Sequence, residues 1–308
     1  MRKLLLILVS LNSFAGGPYS PPASVSGSSA ISKMSDKITN WATDGYVEFS
    51  GYLNIESKEL GFASLGYLLN TFGKSNGSTW SLGDSGVVIL TFDNYISDND
   101  GHDLAVFENS FSETFLELAF VEVSSDGVNF FRFPSISLTD TSINIGGFGS
   151  LDATNLNNLA GKYSAGYGTP FDLAEIPDTS LLNKQAIQYV KIIDVVGTNS
   201  NYASLDSKGN KIIDPFPTSF SSGGFDLDAI AVLGNVTSKS SVSLKTLIPH
   251  PNPTSSILNL NFEGTKILYD ISGKQILRTS KSFIDLSNFP NGTYFISYKS
   301  ERLKIIKI

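Results

Sequence analysis

The chain has 308 residues, 41% of them hydrophobic, with no cysteine and a formal net charge of −7. The absence of cysteine excludes a disulfide framework, a thiolate metal site, a cysteine nucleophile and acylation of a lipoprotein cysteine. The charge is unevenly placed: residues 16–245 carry 12 basic and 25 acidic side chains and residues 246–308 carry 8 and 4, so the body repels nucleic acid and anionic membrane and favours cations.

The N-terminus reads as an export signal. Arg2 and Lys3 precede a short apolar core over Leu4–Leu11, and Ser13-Phe14-Ala15 places small residues where a signal peptidase reads them. Cleavage is expected after Ala15. The apolar run is too short for a permanent span, and no second long apolar segment follows, so no membrane span is expected. Residues 16–29 are rich in Gly, Pro and Ser and read as a flexible leader.

From residue 30 to 236 the apolar runs are short, β-branched or aromatic, and bounded by Gly, Asp, Asn and Ser. They are Gly86–Phe92, Leu104–Phe107, Phe115–Val123, Phe130-Phe131, Tyr189–Val196 and Phe225–Val232. This spacing predicts an all-β antiparallel sandwich. Helix signals are confined to Ser64–Leu69 and Ser180–Ala186, each a turn or two long.

Three stretches of the body carry candidate chemistry. Asp98-Asn-Asp-Gly-His-Asp103 concentrates hard oxygen donors on a tight loop, the chemistry of a Ca2+ site. Asp98, Asp100 and Asp103 would ligate there, with Glu108 arriving from the next strand. The spacing matches only half of an EF-hand loop, and the plainer reading is a turn whose side chains cap backbone N–H groups. Asp226 and Asp228 fall on one face of a strand by its two-residue period, and they would complete such a site if the first and last strands meet. The plainer reading for them is exposure at the strand start. Gly161–Leu173 is a glycine- and aromatic-rich loop lacking the lysine-serine/threonine pair of a phosphate-binding loop. Its Tyr163, Tyr167 and Phe171, joined by Trp80 and also by Tyr202, Phe216 and Phe220, could form a stacking platform for a flat ligand, against the commoner fate of a β-domain aromatic in the core. No catalytic motif is visible: His102 is the one histidine of the body, and neither a nucleophile elbow nor a histidine-pair metal helix occurs.

Two resemblances follow from the body's motifs. Val121-Glu-Val-Ser-Ser-Asp-Gly-Val-Asn-Phe130 with the later Tyr189–Ile192 resembles the hairpin and strand of galactose-binding-like, discoidin-type jelly rolls. Asp103–Asn109, Gly161–Leu173 and Gly223–Ile230 together resemble an uncharacterised family of bacterial cell-surface proteins, loosely tied to outer-membrane uptake loci that include those for cobalamin. These resemblances imply a jelly-roll β-sandwich and a non-catalytic binding role. By fold analogy the expected ligand is a carbohydrate. Capture of a corrinoid or similar small-molecule nutrient for a TonB-dependent receptor, or hydrolysis of a polysaccharide, are the alternatives.

Residues 237–245 read as a linker, and 246–308 form a separate unit. Pro251-Asn252-Pro253 opens it, an apolar strand runs from Ile257 to Phe262, and Ser272-Gly273 turns a hairpin between Ile267–Ile271 and Gln275–Leu277. Asn291-Gly292 then leads into Tyr294–Tyr298, ahead of the basic-apolar end Lys304–Ile308. These ordered motifs resemble the type A C-terminal sorting domain of the Bacteroidetes type IX secretion system, with His250 where that family usually has tyrosine. The resemblance implies a small β-sandwich, the type IX machinery as partner, an extracellular or cell-surface location, and removal of the tail on export.

Overall fold

The computed structural model describes residues 16–234, 236–237, 249–260, 264–298 and 301–308. The expected signal peptide at 1–15, the expected linker beyond Thr237 and Phe262 of the expected tail strand lie outside these. The described structure is all-β, with helical turns of at most four residues.

The body opens with β1 (Ile31–Ser32), β2 (Ile38–Trp41) and β3 (Asp44–Phe49), followed by a 3-10 turn at Leu68–Thr71 and β4 (Trp80–Ser81). Then come β5 (Val87–Ile96), β6 (Leu104–Glu108), β7 (Ala119–Ser124), β8 (Phe131–Arg132), β9 (Ile136–Ser137) and β10 (Leu156–Asn157). The last four are β11 (Tyr167–Phe171), β12 (Ile187–Asp194), β13 (Asp226–Leu233) and β14 (Val236–Thr237). One sheet runs β1-β11-β6-β13-β2 with β4 on β13, and the other runs β14-β5-β12-β7-β8 with β3 on β5. The long strands therefore alternate between sheets in chain order, as in a jelly roll, and the described strand pairings of the body are antiparallel.

The two sheets bury one continuous core that includes Leu90, Phe92, Leu104, Val106, Val121, Val190, Ile192, Leu227, Ile230 and Val232. The apolar runs seen in the sequence become these strands with shifted ends. The segment expected as strand from Phe115 begins its ladder only at Ala119, because Leu116 and Leu118 turn into a second cluster with Leu151, Leu156 and Ile212.

A bulge matters for the site. β13 pairs Leu227 with Glu108 and Ala229 with Phe107, leaving Asp228 as the extra residue. The bulge changes the side-chain phase. Phe225 and Leu227 face the inter-sheet core before it, and Ile230 and Val232 face it after, while Ala229, Ala231 and Leu233 join Ala105 and Phe107 on the outer face.

The tail contains β15 (Ile257–Asn259), β16 (Lys266–Tyr269), β17 (Gln275–Thr279), β18 (Phe283–Asp285), β19 (Gly292–Tyr298) and β20 (Glu301–Lys307). A four-stranded sheet, β17-β16-β19-β20, packs on the β15–β18 pair around Leu258, Leu268, Ile284, Leu286, Ile296 and Ile305.

Candidate functional site

The acidic residues singled out in the sequence separate to opposite ends of the sandwich. β6 runs from Leu104, beside Asp103, to Glu108, and at about 3.3 Å per residue its five residues span roughly 16 Å. Asp103 and Glu108 therefore cannot share an ion, which corrects the expectation that Glu108 joins the Asp98–Asp103 site; Asp226 and Asp228 flank Leu227, which pairs with Glu108 at the far end.

At the first end, Asp98 and Asp103 are joined by Asp172, the residue that caps the 3-10 turn after β11. Carboxylate oxygens from all three lie within 4.8 Å of one another. Asp103 is fully buried and organises both loops: Oδ1 accepts from the Asn99 backbone N–H at 2.8 Å and Oδ2 from Leu173 N–H at 2.8 Å. Burial pushes its carboxyl up to about 6, against these hydrogen bonds and with the help of Asp98. Asp172 accepts from Ala174 N–H at 2.9 Å. Asp98 and Asp172 remain partly open, so water can complete a coordination shell. Asp100 is exposed at the loop tip and stands outside the group.

At the other end, five connecting loops meet over a set of buried carboxyls. Glu108 closes β6 and is 1% exposed; Oε2 accepts from Ser110 N–H at 2.8 Å, while Oε1 has no partner among the described residues. Glu117 precedes β7 and is also buried. Burial holds the carboxyls of Glu108, Glu117, Asp194 and Asp214 well above the usual range, and the neighbouring charges that raise them further are themselves carboxylates. Three of the acids at this end staple loops. Asp194 accepts from Phe225 N–H at 2.7 Å and Ser85 N–H at 2.9 Å, Asp214 from Leu118 N–H at 2.9 Å, and Asp84 from Ile55 N–H at 2.8 Å.

Asp226 and Asp228 are buried too, which corrects the expectation that they face solvent at the strand start. Asp226 accepts from the Ser81 hydroxyl, and burial raises its carboxyl to about 6. Asp228 accepts from the Ser75 hydroxyl at 2.6 Å and the Asn76 N–H at 3.1 Å, so it anchors the loop at 75–77.

Above these acids lies an exposed aromatic strip of which the sequence patterns singled out Phe220 alone as a ligand contact. Phe111 stacks on Phe115 (centroids 4.5 Å apart, 22° between planes), Phe115 on Phe148 (6.1 Å, 29°), and Phe148 meets Phe220 (5.7 Å, 42°). Phe111 and Phe148 are 75% and 73% exposed, and Phe220 50%. The strip is held from below. The Ser110 hydroxyl contacts the Phe115 carbonyl, Leu151 N–H donates to Thr114 O at 2.7 Å, and a Cβ on Gly147 would stand 2.4 Å from Pro217 O. A further exposed group, Tyr52 stacked on Phe62 at 5.0 Å with Lys58 over Tyr52, borders the same end.

The platform expected from the sequence is dissolved by burial. Phe171 is fully buried against Phe133, Trp80 lies in the inter-sheet core, and the Tyr163 ring is buried with its hydroxyl 2.9 Å from Ser29 Oγ and 3.0 Å from Ser20 Oγ. Trp80 and Phe171 fill the core because β4 and β11 are strands of one sheet that turn these rings toward the other. Tyr167 alone of the four is exposed, at the start of β11, and it does not join the strip. Phe216 is buried; of the aromatics expected to bind, Phe220 is the one that reaches the strip.

Fold and tail together define an exported β-sandwich protein with a separate C-terminal targeting unit. Residues 250–308 match the secretion system C-terminal sorting domain family. The chain is therefore an export client of the type IX machinery, destined for the outer cell surface or the medium. Among the described residues, no helix is long and apolar enough to cross a membrane. No curated protein matches the chain.

Proposed function

We propose that the body is a non-catalytic binding module for an extracellular carbohydrate, delivered to the surface by its sorting tail. The observation that carries this reading is the strip of Phe111, Phe115, Phe148 and Phe220, solvent-facing at the loop end of the sandwich. Flat apolar faces left in water at such cost are suited to stack against the C–H faces of sugar rings, and they cluster where loops converge, as ligand sites do. The carboxyls Glu108 and Glu117 lie buried beneath the strip rather than across an open cleft, an arrangement that favours recognition over hydrolysis. At the opposite end, Asp98, Asp103 and Asp172 would hold Ca2+, tying the β5–β6 loop to the segment after β11.

Isothermal titration of residues 16–308 against a panel of soluble polysaccharides tests the ligand. Binding to one class is expected, and Phe148→Ala should weaken it about tenfold, as loss of an exposed stacking anchor does. Equal affinity for parent and variant would place the ligand elsewhere, and silence across the panel would reject a carbohydrate.

A further inference from the structure

The two faces of the tail sheet are used differently. By strand register Ile267 pairs with both Ser297 and Arg278, Tyr269 with Phe295, and Ser297 with Arg302, so these six side chains share one face. The opposite face, with Leu268 and Ile296, packs into the tail's own core. The first face is given to the body.

Its contacts there are specific. The Tyr269 hydroxyl donates to Gly45 O at 2.6 Å. Arg278 lies 4.0 Å above the Tyr46 ring and donates to its hydroxyl at 2.9 Å. Asp44, 6% exposed, accepts from the Ser297 hydroxyl and faces Arg302 Nη2 at 3.7 Å. Arg302 also stacks 5.0 Å from Phe72. Ile267 and Tyr269 belong to the same buried cluster as the body's strands, with Phe295 against it. A cavity of about 230 Å³ between Leu69 and the tail sheet borders this contact. The charges are complementary as well, since the tail is net basic and the body strongly acidic.

We propose that Asp44, Tyr46, Leu69 and Phe72 form a seat for the sorting tail, so that body and tail stay together as a non-covalent pair after the segment between them is cut. Cleavage and release are then separate events. Apolar burial supplies the attraction and the two guanidinium groups fix the orientation: Arg302 faces the buried Asp44, which without it lacks its counter-charge, and Arg278 holds the ring and hydroxyl of Tyr46. The chemistry of the seat also defines what can replace the tail there: a β-sheet face presenting two arginines around a tyrosine.

The test uses the full exported chain with a site-specific protease sequence placed over residues 240–245. After cleavage at micromolar concentration, the tail is expected to co-elute with the body on gel filtration. In the pair of substitutions Arg278→Glu and Arg302→Glu, both at solvent-accessible positions, the tail should elute separately, with affinity weakened about a hundredfold or more by like charge against Asp44 at position 302 and loss of the Arg278 contacts to Tyr46. Hydrogen exchange on the uncut variant provides the folding control: β15 and β18 should keep their protection, and so should β3, whose amides are held by its ladder to β5. Separate elution of the parent's tail would overturn the seat, as would co-elution of the charge-reversed tail.

Discussion

Single carboxylates in this molecule do one of two jobs, and their hydrogen-bond partners tell which. Asp228 has its oxygens committed to Ser75, Asn76 and Gly77, so it is a loop anchor. Asp98 and Asp172 are partly open and converge with Asp103, so they have capacity left for a cation. Calcium at about ten times its Kd is expected to stabilise the parent by about 1.4 kcal/mol, a rise in Tm of a few degrees. Asp172→Asn should abolish the rise by removing one charge from the group. Asp228→Ala should instead lower stability by about 2 kcal/mol, from buried donors left without acceptors, and keep the calcium response. Differential scanning fluorimetry with calcium and EDTA reads both; a calcium shift surviving in Asp172→Asn would remove the ion from this site.

Among the elements, the β6–β7 connection is closely constrained. It carries Glu108 and Glu117 at its two ends and Phe111 and Phe115 between them, and it is clamped by the strand-like segment at Ala160, which exchanges hydrogen bonds with Ala119. Gly161 makes the clamp close: its φ is +81°, and a Cβ there would stand 1.8 Å from the Glu117 carbonyl oxygen. Only glycine fits both the backbone conformation and the space. Gly161→Ala is expected to destabilise the body by about 3 kcal/mol or more and to loosen the Phe strip with it. Urea unfolding monitored by circular dichroism checks the first effect, and an unchanged midpoint would show that the loop relaxes around the new methyl.

The whole body stores like charge at its loop end, and this sets a pH dependence. Glu108, Glu117, Asp194 and Asp214 all have carboxyls raised in the folded state, chiefly by burial. A raised carboxyl contributes stability below its unfolded pKa, near 4, and loses it as pH climbs through the folded value. Metal-free protein should therefore melt at lower temperature at pH 8 than at pH 5. Glu108→Gln removes one buried titration, so the variant should gain on the parent at pH 8 more than at pH 5. An identical difference at both values would mean that Glu108 does not ionise in this range.

At this scale too, the division between sequence and tertiary structure is clear. Strand-forming runs, the hairpin over Val121–Phe130 and the sorting tail were legible because each rests on local chemistry: β-branched residues, turn glycines and motifs in fixed order along the chain. Asp103 and Glu108 stand at the two ends of one short apolar run, and sequence proximity suggested a shared site. The strand between them holds them apart. Conversely Asp172 is 69 positions beyond Asp103 and lies within reach of it. Aromatics near glycines looked like ligand contacts, yet Trp80 and Phe171 are core. Phe111 and Phe148, each a lone large ring among Ser and Gly, carried the better signal, since a loop of that composition has no core to offer them. What the sequence alone determined is therefore the class of fold and the export route, both encoded within short windows. The Asp98–Asp103–Asp172 group, the aromatic strip and the tail's seat were decided by strand order and register, because they are made from residues that only antiparallel pairing and sandwich closure bring to one place.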